Sequence, residues 1–145
     1  MFRLLLARLY FMWGSLHRNF GNRSSFQREH RHAIRRFTQA IELDPHLREA
    51  RLSRGIILFR EMGRLDQALA DFDALLEEDA HYGPALLNRA LLAQEQGRYA
   101  TALHDLDRYL ALPAEDGEYY RMAARTAEVL REIVAELDDN QGPAA

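Results

Sequence analysis

The chain has 145 residues, 48% of them hydrophobic, with four prolines and no cysteine. It is long enough to bury one core, and it excludes disulfides, cysteine-based metal sites and thiol catalysis. All nineteen basic residues are arginine, which removes lysine-amine chemistry and leaves bidentate contacts to carboxylate or phosphate. The net charge of −3 conceals an asymmetry: residues 1–64 hold thirteen arginines against five acids, and residues 65–145 hold six against seventeen. Such a dipole suits an anionic partner or head-to-tail contacts.

The first element, MFRLLLARLYFMWGSL, is apolar but interrupted by Arg3 and Arg8, too short and too charged for a membrane-spanning helix. It lacks the uninterrupted apolar region and cleavage site of a signal peptide. It reads as the first helix of the fold, over 3–20, in a cytoplasmic protein. Because this helix is apolar almost all round, it asks for a cover: the next helix, a second subunit or a membrane surface. Further helices are expected over 24–43, 47–62, 65–79, 83–96, 99–111 and 115–137. Gly21-Asn22, Gly63-Arg64 and Gly97-Arg98 mark the turns, each following a helical run as a C′ glycine does. Ser24 and Gln27 have capping-box spacing and are expected to open the second helix. The tail 138–145 is expected to be flexible.

Three segments share one phrase. Ala33, Phe37, Ala40 and Pro45 stand in AIRRFTQAIELDP, Ala68, Phe72 and Leu75 in ALADFDALLEED, and Ala102, Leu106 and Tyr109 in ALHDLDRYLALP. The leading alanines are 35 and then 34 residues apart, the period of helical-hairpin repeats. Within each phrase the apolar spacing marks one helical face, which a single hairpin cannot bury alone, so neighbours must stack. Gly14, Gly55 and Ala90 are small residues placed for close approach of the first helix of each hairpin to its partner. The repeats are unequal. Gly14 to Ala33 spans 19 residues and Ala90 to Ala102 spans 12, an excess of about two helical turns, which an extended second helix would absorb with Phe26 and His30 continuing the buried stripe. One extra residue lies between Gly55 and Ala68, assigned to the turn or to a helical bulge.

Tyr10, Trp13-Gly14 and His17, followed by Ala33, Phe37, Ala40 and Pro45, resemble the tetratricopeptide repeat pattern, as do Arg54-Gly55 with Ala68, Phe72 and Leu75, and Arg89-Ala90 with Ala102, Leu106 and Tyr109. Ala80 stands where the second proline is expected, and Pro113 comes one residue early. The resemblance covers about residues 1–113. It implies an all-α fold, an α-solenoid of three antiparallel hairpins (about 3–45, 47–80 and 83–112) closed by a capping helix, making one domain over 1–137. In that helix Tyr119, Ala123, Leu130, Ile133, Val134 and Leu137 form the apolar stripe, while Glu118, Arg121, Arg125, Glu128 and Glu132 fall mostly off it.

The resemblance also implies function. Projecting the family's inward positions onto this chain gives a peptide-binding groove built from Arg8, Phe11 and Arg18, then Leu52, Ile56 and Phe59, then Leu87, Leu91 and Gln94. Its centre is apolar with arginines towards one end, suited to a peptide with hydrophobic anchors and some acidic residues. Some family members hold a C-terminal carboxylate with a Lys and Asn clamp. The matching positions here are Phe11, Ser15, Leu52, Ser53, Ile56, Pro84 and Asn88, so the clamp is absent and chaperone-tail binding is disfavoured. The expected role is an adaptor or scaffold for a protein or peptide partner, not an enzyme. The alternative is a homo-oligomeric or membrane-peripheral structural protein that uses the apolar first helix.

No other constellation competes. The six histidines lack metal-ligand spacing, Asp71, Asp73, Glu77, Glu78 and Asp79 read as a solvated helix face, and no phosphate-binding loop or nucleophile elbow is present. No cofactor and no metal are expected. Arg28, Arg31 and Arg35 share one helix face, but the interleaved aromatics of a single-strand binder are missing there, so nucleic acid is not the expected partner.

Overall fold

A computed structural model describes residues 1–24, 27–113 and 117–140, with side chains described for 1–19, 27–113 and 117–139. Seven α-helices and no strand occur among them: α1 (Phe2–Ser24), α2 (Gln27–Leu43), α3 (Arg48–Arg60), α4 (Leu65–Glu78), α5 (Gly83–Glu95), α6 (Tyr99–Leu110) and α7 (Glu118–Asn140). The chain divides into two compact units, Met1–Glu78 and Asp79–Ala145.

In the first unit α1 packs on α2, α2 on α3, and α3 on α4. Ala33, Phe37, Ala40 and Ile41 of α2 share a core with Ala50 and Ile57 of α3, and Tyr10 and Phe11 of α1 pack against it. The small residues work as the sequence suggests. A Cβ built on Gly14 would stand 2.6 Å from the Phe37 ring, and one on Gly55 would stand 2.7 Å from the Phe72 ring. In the second unit α5 packs on α6 and α6 on α7. There Ala90 and Leu106 hold the corresponding positions, both in the core with Leu87, Ala93 and Ala102. A larger residue on the first helix is matched by a smaller one on the second, so the volume filled by each pair is conserved.

The turns explain the insertions. Gly97 adopts φ +73°, and around it Gly97 N–H donates to the Gln94 carbonyl and Arg98 N–H to the Ala93 carbonyl, a Schellman end. Gly63 adopts φ +61°, but its neighbours reach one residue further back: Met62 N–H donates to Ile57 and Arg64 N–H to Leu58. The extra residue of the second hairpin therefore sits in a widened last turn of α3.

The stretched first hairpin is a correction. Gly21 and Asn22 continue α1, which runs ten residues beyond Gly14 where α5 runs five beyond Ala90; α2 begins six residues before Ala33 where α6 begins three before Ala102. The excess is shared by both helices, so each keeps its own face in phase. Ser24 closes α1 instead of opening α2. The expected role of Phe26 lies outside the described residues, whereas His30 is buried on the stripe as expected.

Ala80 replaces the expected proline without loss of the corner. Asp44 Oδ1 accepts His46 N–H at 3.1 Å, and Asp79 Oδ1 accepts His81 N–H at 3.0 Å. Each turn thus closes on an aspartate side chain, which needs no proline. In α7 the buried face is Ala123, Ala127 and Leu130, with Ile133 packed beside them. Tyr119 and Leu137 are exposed and leave the expected stripe, because Ala127 supplies the register that faces α6. The helix also begins at Glu118 and runs on to Asn140.

Candidate functional site

The expected groove residues do not share one environment. In the first unit α3 turns Leu52 and Ile56 partly outward, one helical turn apart, while Phe59 is only 7% exposed and belongs to the interior. On α1, Arg8 is exposed and Phe11 is half-buried, its ring 5.8 Å from that of Phe37. Arg18 reaches across to α3, where its Nη1 donates to Ser53 Oγ at 3.1 Å. The fold therefore sets Arg18 beside the α3 turn that carries Leu52 and Ile56.

In the second unit Leu87 is buried in the α5–α6–α7 core, Leu91 is half-buried and Gln94 is exposed. Phe59 and Leu87 are thus buried residues and not part of an open groove. Two of the clamp positions are engaged as well. Ser53 receives Arg18, and buried Asn88 donates its side-chain amide to the Pro84 carbonyl at 2.8 Å.

Two arginine–aspartate pairs were not legible as pairs. Arg54 Nε and Nη2 donate to the two carboxylate oxygens of Asp71 at 2.9 and 2.6 Å, and its Nη1 donates to Thr38 Oγ1 at 3.0 Å. Arg89 holds Asp105 through two contacts of 2.7 Å. Asp71 is therefore buried and paired, not part of a solvated face, whereas Glu77 remains exposed as expected. The available signal was the repeated order: Arg directly before the small residue of the first helix, and Asp directly before the large apolar residue of the second. Both forks are planar and bidentate, a geometry arginine provides and lysine does not.

No family model matches the chain. Solved structures with the same arrangement of helices are the Arabidopsis OM64 TPR domain (TM-score 0.72, 19% identity, 90% of this chain and 98% of that one) and the Sgt2 TPR domain from Aspergillus fumigatus (0.68, 19%, 91% and 85%). The yeast Sti1 TPR2B domain, solved in complex with pHsp70, is similar at a TM-score of 0.65 with 22% identity over 83% of this chain and 98% of that one.

The chain has the tetratricopeptide-repeat fold.

A protein of Dictyostelium discoideum described as a DnaJ homolog subfamily C member 7 homolog is 27% identical over 104 residues, 70% of this chain. The chain spans 19% of the length of that relative. No group of three or more metal-ligating side chains occurs among the described residues. No described helix is long and apolar enough to cross a membrane.

Proposed function

We propose that the chain is a protein-interaction adaptor whose partner is a protein or peptide segment with hydrophobic anchors and acidic residues. The observation that carries this reading is the pair Leu52 and Ile56, apolar, one turn apart and partly exposed on α3, with the Arg18 guanidinium anchored beside them. Apolar anchors at that spacing receive a side chain of the partner, and the arginine supplies directional contacts to carboxylate. The excess of arginine in residues 1–64 favours an acidic partner in the encounter. The likeness to tetratricopeptide-repeat domains, one of them solved with pHsp70, supports a binding role. In the second unit Leu91 holds the position of Ile56 and is half-buried, while the position of Leu52 is taken by buried Leu87.

The test is affinity capture with the intact chain, followed by titration of the captured partner. Leu52→Asp with Ile56→Asp keeps far-UV helicity and abolishes capture. Leu87 is left untouched, because an aspartate in that core would unfold the second unit and imitate a binding defect. Capture by the double variant equal to that of the parent chain overturns the assignment.

A further inference from the structure

The exposed charges of α2 and α7 form rows that mirror one another. On α2, Arg28, Arg31, Arg35 and Glu42 follow at intervals of three, four and seven residues. On α7, read from its C-terminal end, Asp139, Glu136, Glu132 and Arg125 follow at the same three, four and seven. At about 100° per residue, each row falls within about 60° of arc on one face of its helix. The sign is opposite at every step: three arginines and then a glutamate on α2, three acids and then an arginine on α7. All eight side chains are exposed, and among the described residues none of them is in a salt bridge.

Neither row is favoured by its own helix. Arg28 lies in the first turn of α2 and Asp139 in the last turn of α7, where the helix dipole favours the opposite charge. Glu29, the acid in the first turn of α2, is held by His17, and no basic residue stands in the last turn of α7. Within each row like charges also stand three and four residues apart, which destabilises a helix. Both rows would gain from a partner of opposite charge.

We infer that the partner of this α2 face is α7 of a second copy of the chain, lying antiparallel to it. In that register Arg28 meets Asp139, Arg31 meets Glu136, Arg35 meets Glu132 and Glu42 meets Arg125, four pairs spread over about 21 Å of helix. The charges fix the direction, because in the parallel sense Arg125 would come first and face Arg28. Glu42 selects the second copy over other anions. A nucleic acid or an anionic lipid surface presents one sign throughout and repels that carboxylate, whereas α7 supplies an arginine there. The contact joins different surfaces of the two copies and is therefore heterologous. Its pairs stand in water, so the association is weak and falls steeply with salt.

Sedimentation velocity of the full chain across a salt series tests the pairing. At about 10 mM salt, where the screening length is about 30 Å, the weight-average mass is expected to rise with protein concentration. At about 1 M, where that length is about 3 Å, the rise is expected to be lost. Two charge reversals isolate the contact: Arg28→Glu with Arg31→Glu and Arg35→Glu on α2, and Glu132→Arg with Glu136→Arg and Asp139→Arg on α7. Each sets like charges against each other in three of the four pairs and is expected to stay monomeric at low salt. Far-UV helicity is kept, since the reversed charges agree with the helix dipole. An equimolar mixture of the two variants associates again, because the reversed α2 row of one matches the reversed α7 row of the other. A parent chain that stays monomeric at low salt overturns the inference. So does association unchanged in either variant alone, or a mixture that stays monomeric. A monomeric parent that binds poly-glutamate overturns it too and assigns the α2 face to a different acidic partner.

Discussion

The guanidinium of Arg36 lies over the ring of Trp13, 5.2 Å from its centroid, at the two repeat positions where Arg54 meets Asp71 and Arg89 meets Asp105. The same junction between first and second helix is thus a charge pair in the second and third hairpins and a cation–aromatic contact in the first. The arginine has moved from the first helix to the second, and the aromatic ring has taken the place of the carboxylate as its acceptor of positive charge. Arg36 also lies 5.7 Å from the Tyr10 ring, so α1 and α2 share one cation between two aromatics.

Removing one member of a buried pair leaves the other uncompensated. Arg54→Met is expected to cost about 3 kcal/mol, read by urea unfolding. Arg89→Met is expected to cost less, because Arg108 remains 3.5 Å from Asp105. Arg36→Met, at a partly exposed cation–aromatic contact, costs about 1 kcal/mol. Equal losses for Arg54 and Arg89 would show that Arg108 gives Asp105 no compensation.

Gly55→Ala drives a Cβ into the Phe72 ring. Overpacking of this kind is expected to destabilise by about 1–2 kcal/mol, even though alanine is the better helix former. Combining it with Phe72→Leu recreates the Ala90–Leu106 solution of the third hairpin and recovers stability relative to the single variant. A double-mutant cycle checks the coupling, and simple additivity would contradict the proposed matching of sizes.

The α1–α2 hairpin carries a pH-dependent tie. The hydrogen bond from His17 Nδ1 to Glu29, 2.7 Å long, holds the Glu29 carboxyl below its usual value of 4.5, with the charges of His17, His32 and Arg28 helping. A carboxylate lowered in the folded state binds fewer protons than in the unfolded chain. Its contribution is therefore complete above the unfolded value and fades as pH falls through the folded one. Parent and Glu29→Gln stabilities are expected to converge as the pH is lowered from neutrality to below the usual carboxylate value, in thermal melts at matched salt. A constant difference across that range would refute the assignment.

His30 is buried to 2% exposure, and its Nδ1 has no hydrogen-bond partner. Replacing it with leucine removes a desolvated polar atom from an otherwise apolar stripe with Ala33 and Phe37. His30→Leu is expected to raise stability by about 1 kcal/mol, measured by chemical unfolding. A loss of that size would mean that the nitrogen is satisfied in solution.

The sequence by itself determined what depends on contiguous residues. Helical period, turn glycines and the alternation of small and large residues are local signals, so the hairpins, the helices read over 47–62 and 83–96 and found over Arg48–Arg60 and Gly83–Glu95, and the close approach at Gly14 and Gly55 could be read directly. Tertiary structure alone decided what depends on which helix lies opposite. Asp71 looked like one acid among five until Arg54, seventeen residues away, met it in the neighbouring helix. Leu87 and Phe59 shared the spacing of groove residues with Leu52 and Ile56, yet the core took the first two and left the others partly exposed. The excess length of the first hairpin was read as an extension of the second helix, whereas α1 and α2 share it, since each helix end is set by where its buried face stops finding a partner. On α1 the apolar row was visible from composition, but which of its sides faces α2 and which faces solvent is fixed by Phe37 filling the space beside Gly14.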